Sequence, residues 1–200
     1  MTVGVKPPPA DPDRDQAFKT QLVALIPQLR AFARSLTGDA TAADDLAQDA
    51  MVKAWDARAG FEMGTNMKAW TFMILRNQFY SEKRRSWRQS QLDQEAAERT
   101  LVAIDDPSGP VALDELRMAL AMLPAEQREA LVLVGAGGFA YEEAAAVCGC
   151  AVGTVKSRVS RARRALVGIL QRGDYVRDRA PAGEAMGSIL AQAERLSTTT

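Results

Sequence analysis

Residues 139–172 restrict the fold more than any other stretch of the chain. Tyr141-Glu-Glu-Ala-Ala-Ala-Val147 reads as a short helix, Cys148-Gly149-Cys150 as a tight turn, and the residues that follow as a second, longer helix. Val155, Val159, Ala162, Leu166, Ile169 and Leu170 recur at helical spacing, so one face of that second helix is expected to be buried. Lys156, Ser157, Arg158, Ser160, Arg161, Arg163 and Arg164 fall mostly outside the stripe, and from Thr154 to Arg172 there are six basic residues and no acidic one. A helix held by its apolar face, with cations and hydroxyls turned outward, suits a DNA major groove. A basic run by itself is better explained as a solvated face in a helical bundle. The preceding helix and three-residue turn favour a helix-turn-helix.

Charge and residue usage narrow the function classes. The chain has 25 basic and 25 acidic residues and a formal net charge of zero, so nucleic-acid affinity must arise from local charge. There is no histidine, which removes the commonest general base and the commonest zinc ligand. Cys148 and Cys150 are the only cysteines and both sit in the turn. A C-x-C pair suggests a redox or metal site, but a four-ligand zinc site would need carboxylates or a second chain, so both read as small turn-packing residues. No disulfide framework is implied, which fits a reducing cytoplasm. No apolar run approaches the roughly 18 residues of a membrane span. Residues 1–15 are rich in Pro and Asp, lack a signal core, and are expected to form a disordered leader.

The rest of the chain is read as helices. Phe18, Leu22, Leu25, Ile26, Leu29, Phe32, Ala33 and Leu36 form an amphipathic pattern, with a kink or break expected at Pro27. Thr41 is the expected N-cap of the next helix, over about 42–57, with Leu46, Ala47, Ala50, Met51, Ala54 and Trp55 inward. Its outward residues Asp45, Gln48, Asp49 and Lys53 read as a solvated face from the pattern alone. A loop at 60–66 leads into a third helix from Met67 to about Arg88. It carries Trp70, Phe72, Met73, Ile74, Leu75, Phe79, Tyr80 and Trp87, with Lys68, Arg76, Lys83, Arg84, Arg85 and Arg88 against the single acid Glu82. Basic and aromatic side chains interleaved in this way suit a single strand, cations following phosphates and rings receiving bases. Most of the aromatics, Trp70, Phe72 and Phe79 among them, are expected in the core, leaving Tyr80 and the Lys83-Arg84-Arg85 cluster as contacts. Residues 89–115 hold seven acids against Arg99 alone, with Pro107, Gly109 and Pro110, and read as an acidic linker. A helix over 111–123 is expected to turn Ala112, Leu116, Ala119, Leu120 and Leu123 inward, and Pro124 starts another that ends at Gly135-Ala-Gly-Gly138. Residues 184–196 show one more amphipathic pattern.

The expected fold is all-α. A leader (1–15) precedes a first helical domain (16–88). A flexible acidic linker (89–111) joins it to a second helix-turn-helix domain (112–172), and a tail (173–200) follows. One surface suits an opened strand and the other a duplex groove, a combination suited to promoter recognition.

Asp44-Asp-Leu-Ala-Gln-Asp-Ala-Met-Val-Lys-Ala-Trp55, Ala69-Trp-Thr-Phe-Met-Ile-Leu-Arg-Asn77, and Tyr141-Glu-Glu-Ala-Ala with Val152-Gly-Thr-Val-Lys-Ser-Arg-Val-Ser-Arg-Ala-Arg163 resemble the signatures of extracytoplasmic-function sigma factors. The likeness covers about 16–172, in order and spacing. The stretch from Arg128 to Ala145, with Phe79-Tyr-Ser-Glu-Lys-Arg84, is similar more narrowly to the general-stress-response (EcfG-like) subgroup of alphaproteobacteria.

The resemblance implies a sigma region 2 bundle and a sigma region 4 helix-turn-helix. Asp45, Gln48, Asp49 and Lys53 would dock on the β′ clamp helices of core RNA polymerase, and the β subunit would be a further partner. Asn66, Lys68, Arg76, Asn77, Tyr80, Lys83, Arg84 and Arg85 would meet the promoter −10 element, Asn66 near a flipped base. Thr154, Lys156, Ser157, Arg158, Ser160, Arg161 and Arg163 would meet the −35 element, mostly at phosphates. The linker would thread toward the RNA exit channel. The subgroup further implies a small NepR-type anti-sigma protein, itself titrated by a phosphorylated response regulator. No cofactor, membrane or small-molecule substrate is expected, and no catalysis. Two other readings stay open: a helix-turn-helix regulator acting alone on duplex operators, and a sigma-mimicking partner of an anti-sigma protein.

Overall fold

The computed structural model describes residues 12–92 and 111–173, all in helices and short connections. The first module comprises α1 (Pro12–Ala24), α2 (Ile26–Thr37), α3 (Ala40–Asp56), a 3-10 turn at Arg58–Gly60, and α4 (Met67–Leu92). The second comprises α5 (Val111–Ala121), α6 (Ala125–Gly135), α7 (Tyr141–Cys148) and α8 (Val152–Arg172). The expected leader at 1–11, most of the acidic linker and the tail beyond 173 lie outside the described residues.

Several boundaries differ from the sequence reading for local reasons. Residues 12–15 begin α1 rather than ending a leader. Arg14 donates to the carbonyls of Arg58 and Phe61, and Asp15 pairs with Arg58, so this turn is tied to the far end of the module. Pro27 has no amide hydrogen and its ring excludes the carbonyl one turn back, so α1 and α2 break at Leu25 as expected. Asp39, not Thr41, caps α3: its carboxylate accepts from the Ala42 amide at 2.7 Å. Helix α4 runs on to Leu92, and Val111 already belongs to α5, so both ends of the expected linker are helical.

The two modules are not separate bodies. One core joins Leu29, Phe32, Leu46, Phe72 and Leu75 of the first to Leu133, Phe139, Ala144, Val147, Val155 and Val159 of the second. Phe72 is the hinge of this packing: it stacks on Phe32 at 4.9 Å between ring centroids and meets Phe139 edge-on at 5.0 Å. Helix α4 lies on α7, and α2 on α6. A second cluster around Phe18, Phe61 and Trp70 closes the outer end of the first module, and Ala119, Leu123, Ala162 and Ile169 tie α5 to α8. Leu116 and Leu170, expected inward, are exposed at 37% each because α5 and α8 meet nearer Ala119 and Ile169.

Candidate nucleic-acid interface

The helix-turn-helix is set by its turn. Gly149 takes φ +63°, a left-handed conformation open to glycine at little cost, and its amide closes the last turn of α7. Helix α8 then buries Val155, Val159 and Ala162, leaving Lys156, Ser157, Ser160, Arg161 and Arg163 exposed. The exposed set is partly pre-ordered: Arg161 donates to the Ser157 hydroxyl and carbonyl, and Lys156 lies 5.7 Å from the Tyr141 ring. Arg164 and Val167 complete a shallow open cleft with Tyr141, Lys156, Val159, Ser160 and Arg163. Two expected −35 residues stand apart. Thr154 is half-buried, and Arg158 pairs with Glu126 of α6 and reaches the Cys150 sulfur at 3.6 Å, so it braces the motif.

The expected −10 residues divide into two groups. Asn77, Lys83, Arg84 and Arg85 are exposed on α4, the last three within a turn of the exposed Trp87. Lys68, Arg76 and Tyr80 are partly buried against the second module, and Asn66 reaches it while remaining exposed. The Asn66 carbonyl oxygen caps α4 by accepting from Ala69, while its amide nitrogen donates to Glu143 of α7 at 2.5 Å. The Lys68 ammonium donates to the Gly137 carbonyl and lies 4.7 Å from the Phe139 ring. Arg76 donates to Glu129 of α6 at 2.5 Å, and the Tyr80 hydroxyl donates to the other oxygen of that carboxylate at 3.2 Å. Glu129 is fully buried. Burial pushes its carboxyl above the usual range, against the pull of Arg76 and Tyr80. The Tyr80 hydroxyl is pushed up to about 12, by burial first and then by Glu129. Burial works against the Arg76 charge, but Glu129 outweighs it and holds the guanidinium above its ordinary value. Glu129, Glu143, Gly137 and Phe139 were not singled out from sequence. A glutamate at an inward position of α6 was the one available signal.

Helix α3 leaves Asp45, Gln48, Asp49 and Lys53 exposed, though Asp49 also accepts from Gln78 of α4 at 2.9 Å. Beside them runs a groove lined by Leu22, Val23, Ile26, Met51, Val52 and Trp55. Val23 and Val52 are about half exposed, at 49% and 54%. Arg30 and Asp44 pair across the groove's edge, and this hydrogen bond holds the Asp44 carboxyl below its usual range. The apolar part of this surface is not legible in the sequence, because Val52 lies one residue off the α3 stripe. Among the described residues no helix is long and apolar enough to cross a membrane.

These surfaces sit on two family regions. Residues 22–89 match the model of Sigma-70 region 2, and residues 113–166 match that of Sigma-70, region 4. A chain with both is a two-region sigma factor. It is 46% identical over 154 residues to the ECF RNA polymerase sigma factor EcfG of Rhodopseudomonas palustris, spanning 77% of this chain and 85% of that one. It is 36% identical over 130 residues to the ECF RNA polymerase sigma factor SigC of Mycobacterium tuberculosis, spanning 64% of this chain and 70% of that one. The chain therefore belongs to the extracytoplasmic-function (ECF) RNA polymerase sigma factors. Among solved structures, the sigma factor RpoE of Bartonella quintana, in complex with the anti-sigma factor NepR, matches with a TM-score of 0.71 and 48% identity, covering 78% of this chain and 98% of that one. CnrH, in complex with the cytosolic domain of CnrY, matches with a TM-score of 0.58 and 29% identity, covering 78% and 89%.

Proposed function

We propose that this sigma factor docks on core RNA polymerase through the exposed side of α3 and brings α8 to the −35 duplex and α4 to the opened −10 strand. It acts in the cytoplasm, without a reaction of its own, on general-stress-response promoters. A small NepR-type anti-sigma protein holds it inactive. The observation that carries the reading is the difference between the two basic surfaces. Helix α8 offers Lys156, Ser160, Arg161 and Arg163 with hydroxyls between the cations, as a duplex groove requires. Helix α4 offers the exposed cations Lys83, Arg84 and Arg85 beside the exposed ring of Trp87, as an unstacked strand requires. The identity to the EcfG and RpoE relatives supports the anti-sigma and stress assignments.

The test is reconstituted transcription. Purified protein, core polymerase and a stress-promoter fragment should give initiation that depends on both, and a NepR-type protein should suppress it. Tight operator binding without core, and no initiation with it, would replace this reading with that of a lone regulator.

A further inference from the structure

Local rules do not favour a cation at the first turn of α1. The free amides of a helix start suit acids, and Asp13 and Asp15 supply them, yet Arg14 lies between the two. Its side chain reaches across the module instead. The Arg14 Nη2 donates to the carbonyls of Phe61 at 2.8 Å and Arg58 at 3.1 Å, with that of Ala59 at 3.5 Å. Carbonyls just past the end of a helix carry partial negative charge, so a guanidinium suits them. We infer that Arg14 is a positioning residue for −10 recognition: it fixes the stem of the turn that carries Asn66, and so sets where that turn meets an opened strand. The inference rests on the reading of Asn66 as the residue near a flipped base.

The turn is an exposed arch between two buried anchors. Helix α3 ends at Asp56, and the chain passes through the 3-10 turn Arg58–Gly60 to Phe61. Phe61 is buried, edge-on to Phe18 at 5.7 Å and tilted against Trp70 at 5.0 Å. Met67 is buried at the other end, while Glu62, Gly64, Thr65 and Asn66 between them are exposed. The Thr65 amide and hydroxyl both donate to the Glu62 carbonyl, at 3.2 and 2.7 Å. Those bonds shape the arch but do not aim it. Its far end is tied to α4, where the Asn66 side chain accepts from the Ala69 amide at 2.9 Å. Its near end leaves from the Phe61 peptide. A buried ring anchors Phe61, but the orientation of its carbonyl decides the direction of the chain that follows, and Arg14 holds that carbonyl.

The neighbouring residue holds the same stem from the other side. Arg58 donates to the Asp15 carboxylate at 3.0 Å and to the Trp55 carbonyl at 3.0 Å, and lies 4.3 Å from the Trp55 ring. Arg14 and Asp15 therefore grip one stem with opposite charges, a guanidinium on carbonyls and a carboxylate on a guanidinium. Neither is needed to seat α1, because Phe18 and Leu22 are its buried residues. Asp15 also lines the groove beside α3, whereas Arg14 does not, so a change at Arg14 leaves that groove intact.

The test is Arg14→Met, which keeps an unbranched side chain and removes its donors. Thermal melting checks that the variant is folded, and its affinity for core polymerase should equal the parent's. Each holoenzyme is then given a stress-promoter fragment with an opened −10 strand, in a series carrying one abasic site at a time. In the parent, one position should lose about tenfold in binding when its base is removed, the effect of one lost base contact. In Arg14→Met that loss should shrink to about twofold, and the fragment already lacking the base should bind both proteins equally, as expected if the two changes remove one interaction. Hydrogen exchange in the free chain should be several-fold faster over residues 61–67 of the variant and unchanged in the middle of α3 and α4. A loss shared by every fragment, the abasic one included, makes Arg14 a phosphate contact or a stability residue and overturns the positioning role. A smaller abasic penalty with unchanged exchange also overturns it, because Arg14 would then meet the strand itself. A parent with no sensitive position removes the reading of Asn66, and the inference with it. A sensitive position that Arg14→Met leaves at full strength keeps that reading and removes Arg14 alone.

Discussion

At the scale of single residues, Gly137 shows how closely the α6–α7 turn is drawn. A side-chain carbon there would stand 2.6 Å from the Leu133 carbonyl oxygen and 3.0 Å from the Phe139 ring. The nearer neighbour is backbone at the end of a helix, so it has little room to give. The Gly137 carbonyl also receives Lys68. We expect Gly137→Ala to destabilise the protein by about 1–3 kcal/mol through this overlap, read as a lower urea midpoint with an unchanged slope. Gly138 takes φ +67° but has open space around it, so Gly138→Ala should suffer only the strain of a left-handed alanine, about 1 kcal/mol. An equal loss at both positions would mean the close approach is not what selects glycine at 137. Asp39 carries a related lesson. A cap depends on which side chain reaches the free amides, and Asp39 lies one residue before Ala40 where Thr41 is already inside the helix.

At the scale of elements, α3 presents a charged strip and an apolar groove side by side. The groove needs α1 and the start of α2 as well as α3, since Leu22, Val23 and Ile26 line it opposite Met51, Val52 and Trp55. We expect Val52→Asp to leave the fold nearly untouched, within about 0.5 kcal/mol, because the side chain is already open to water. The same change should prevent docking on core polymerase, since it puts a charge where an apolar contact would be desolvated. Competition against labelled parent protein for core measures this, and undiminished competition would take the groove out of the docking surface. Much of the element map was legible in sequence. The apolar stripes of α2, α3 and α8, the break at Pro27 and the turn at Gly149 each follow from local chemistry. The basic face of α8 was legible for the same reason, being the outward side of a stripe whose inward side is unambiguous. Arg158 and Val52 were not, because each depends on a second helix. Arg158 lies among the outward cations of α8 and is claimed by Glu126 of α6, and Val52 is made part of a groove only by α1 and the start of α2.

At the scale of the whole molecule, the shared core was the least legible feature, because its contacts join residues far apart in sequence and across a linker that reads as a separator. Asn66 and Glu143, or Arg76 and Glu129, show nothing individually that ties one to the other. Their pairing predicts how the chain unfolds. If Phe72 and Phe139 seal one core, the modules should melt together, since neither can lose its inner face without exposing the other's. The chain allows a direct check, because its three tryptophans, Trp55, Trp70 and Trp87, all lie in the first module. Tryptophan emission therefore follows that module alone, while far-UV circular dichroism follows every helix. In the parent the two thermal curves should coincide. Phe139→Ala removes the buried ring that meets Phe72 and should cost about 3–5 kcal/mol. If the ring joins the modules, the second should then melt first, with dichroism falling while tryptophan emission stays native. If Phe139 only secures the turn between α6 and α7, the curves should shift down together and remain superimposed. Separation of the two curves in the variant, and not the size of the shift, is the result that a joint core requires.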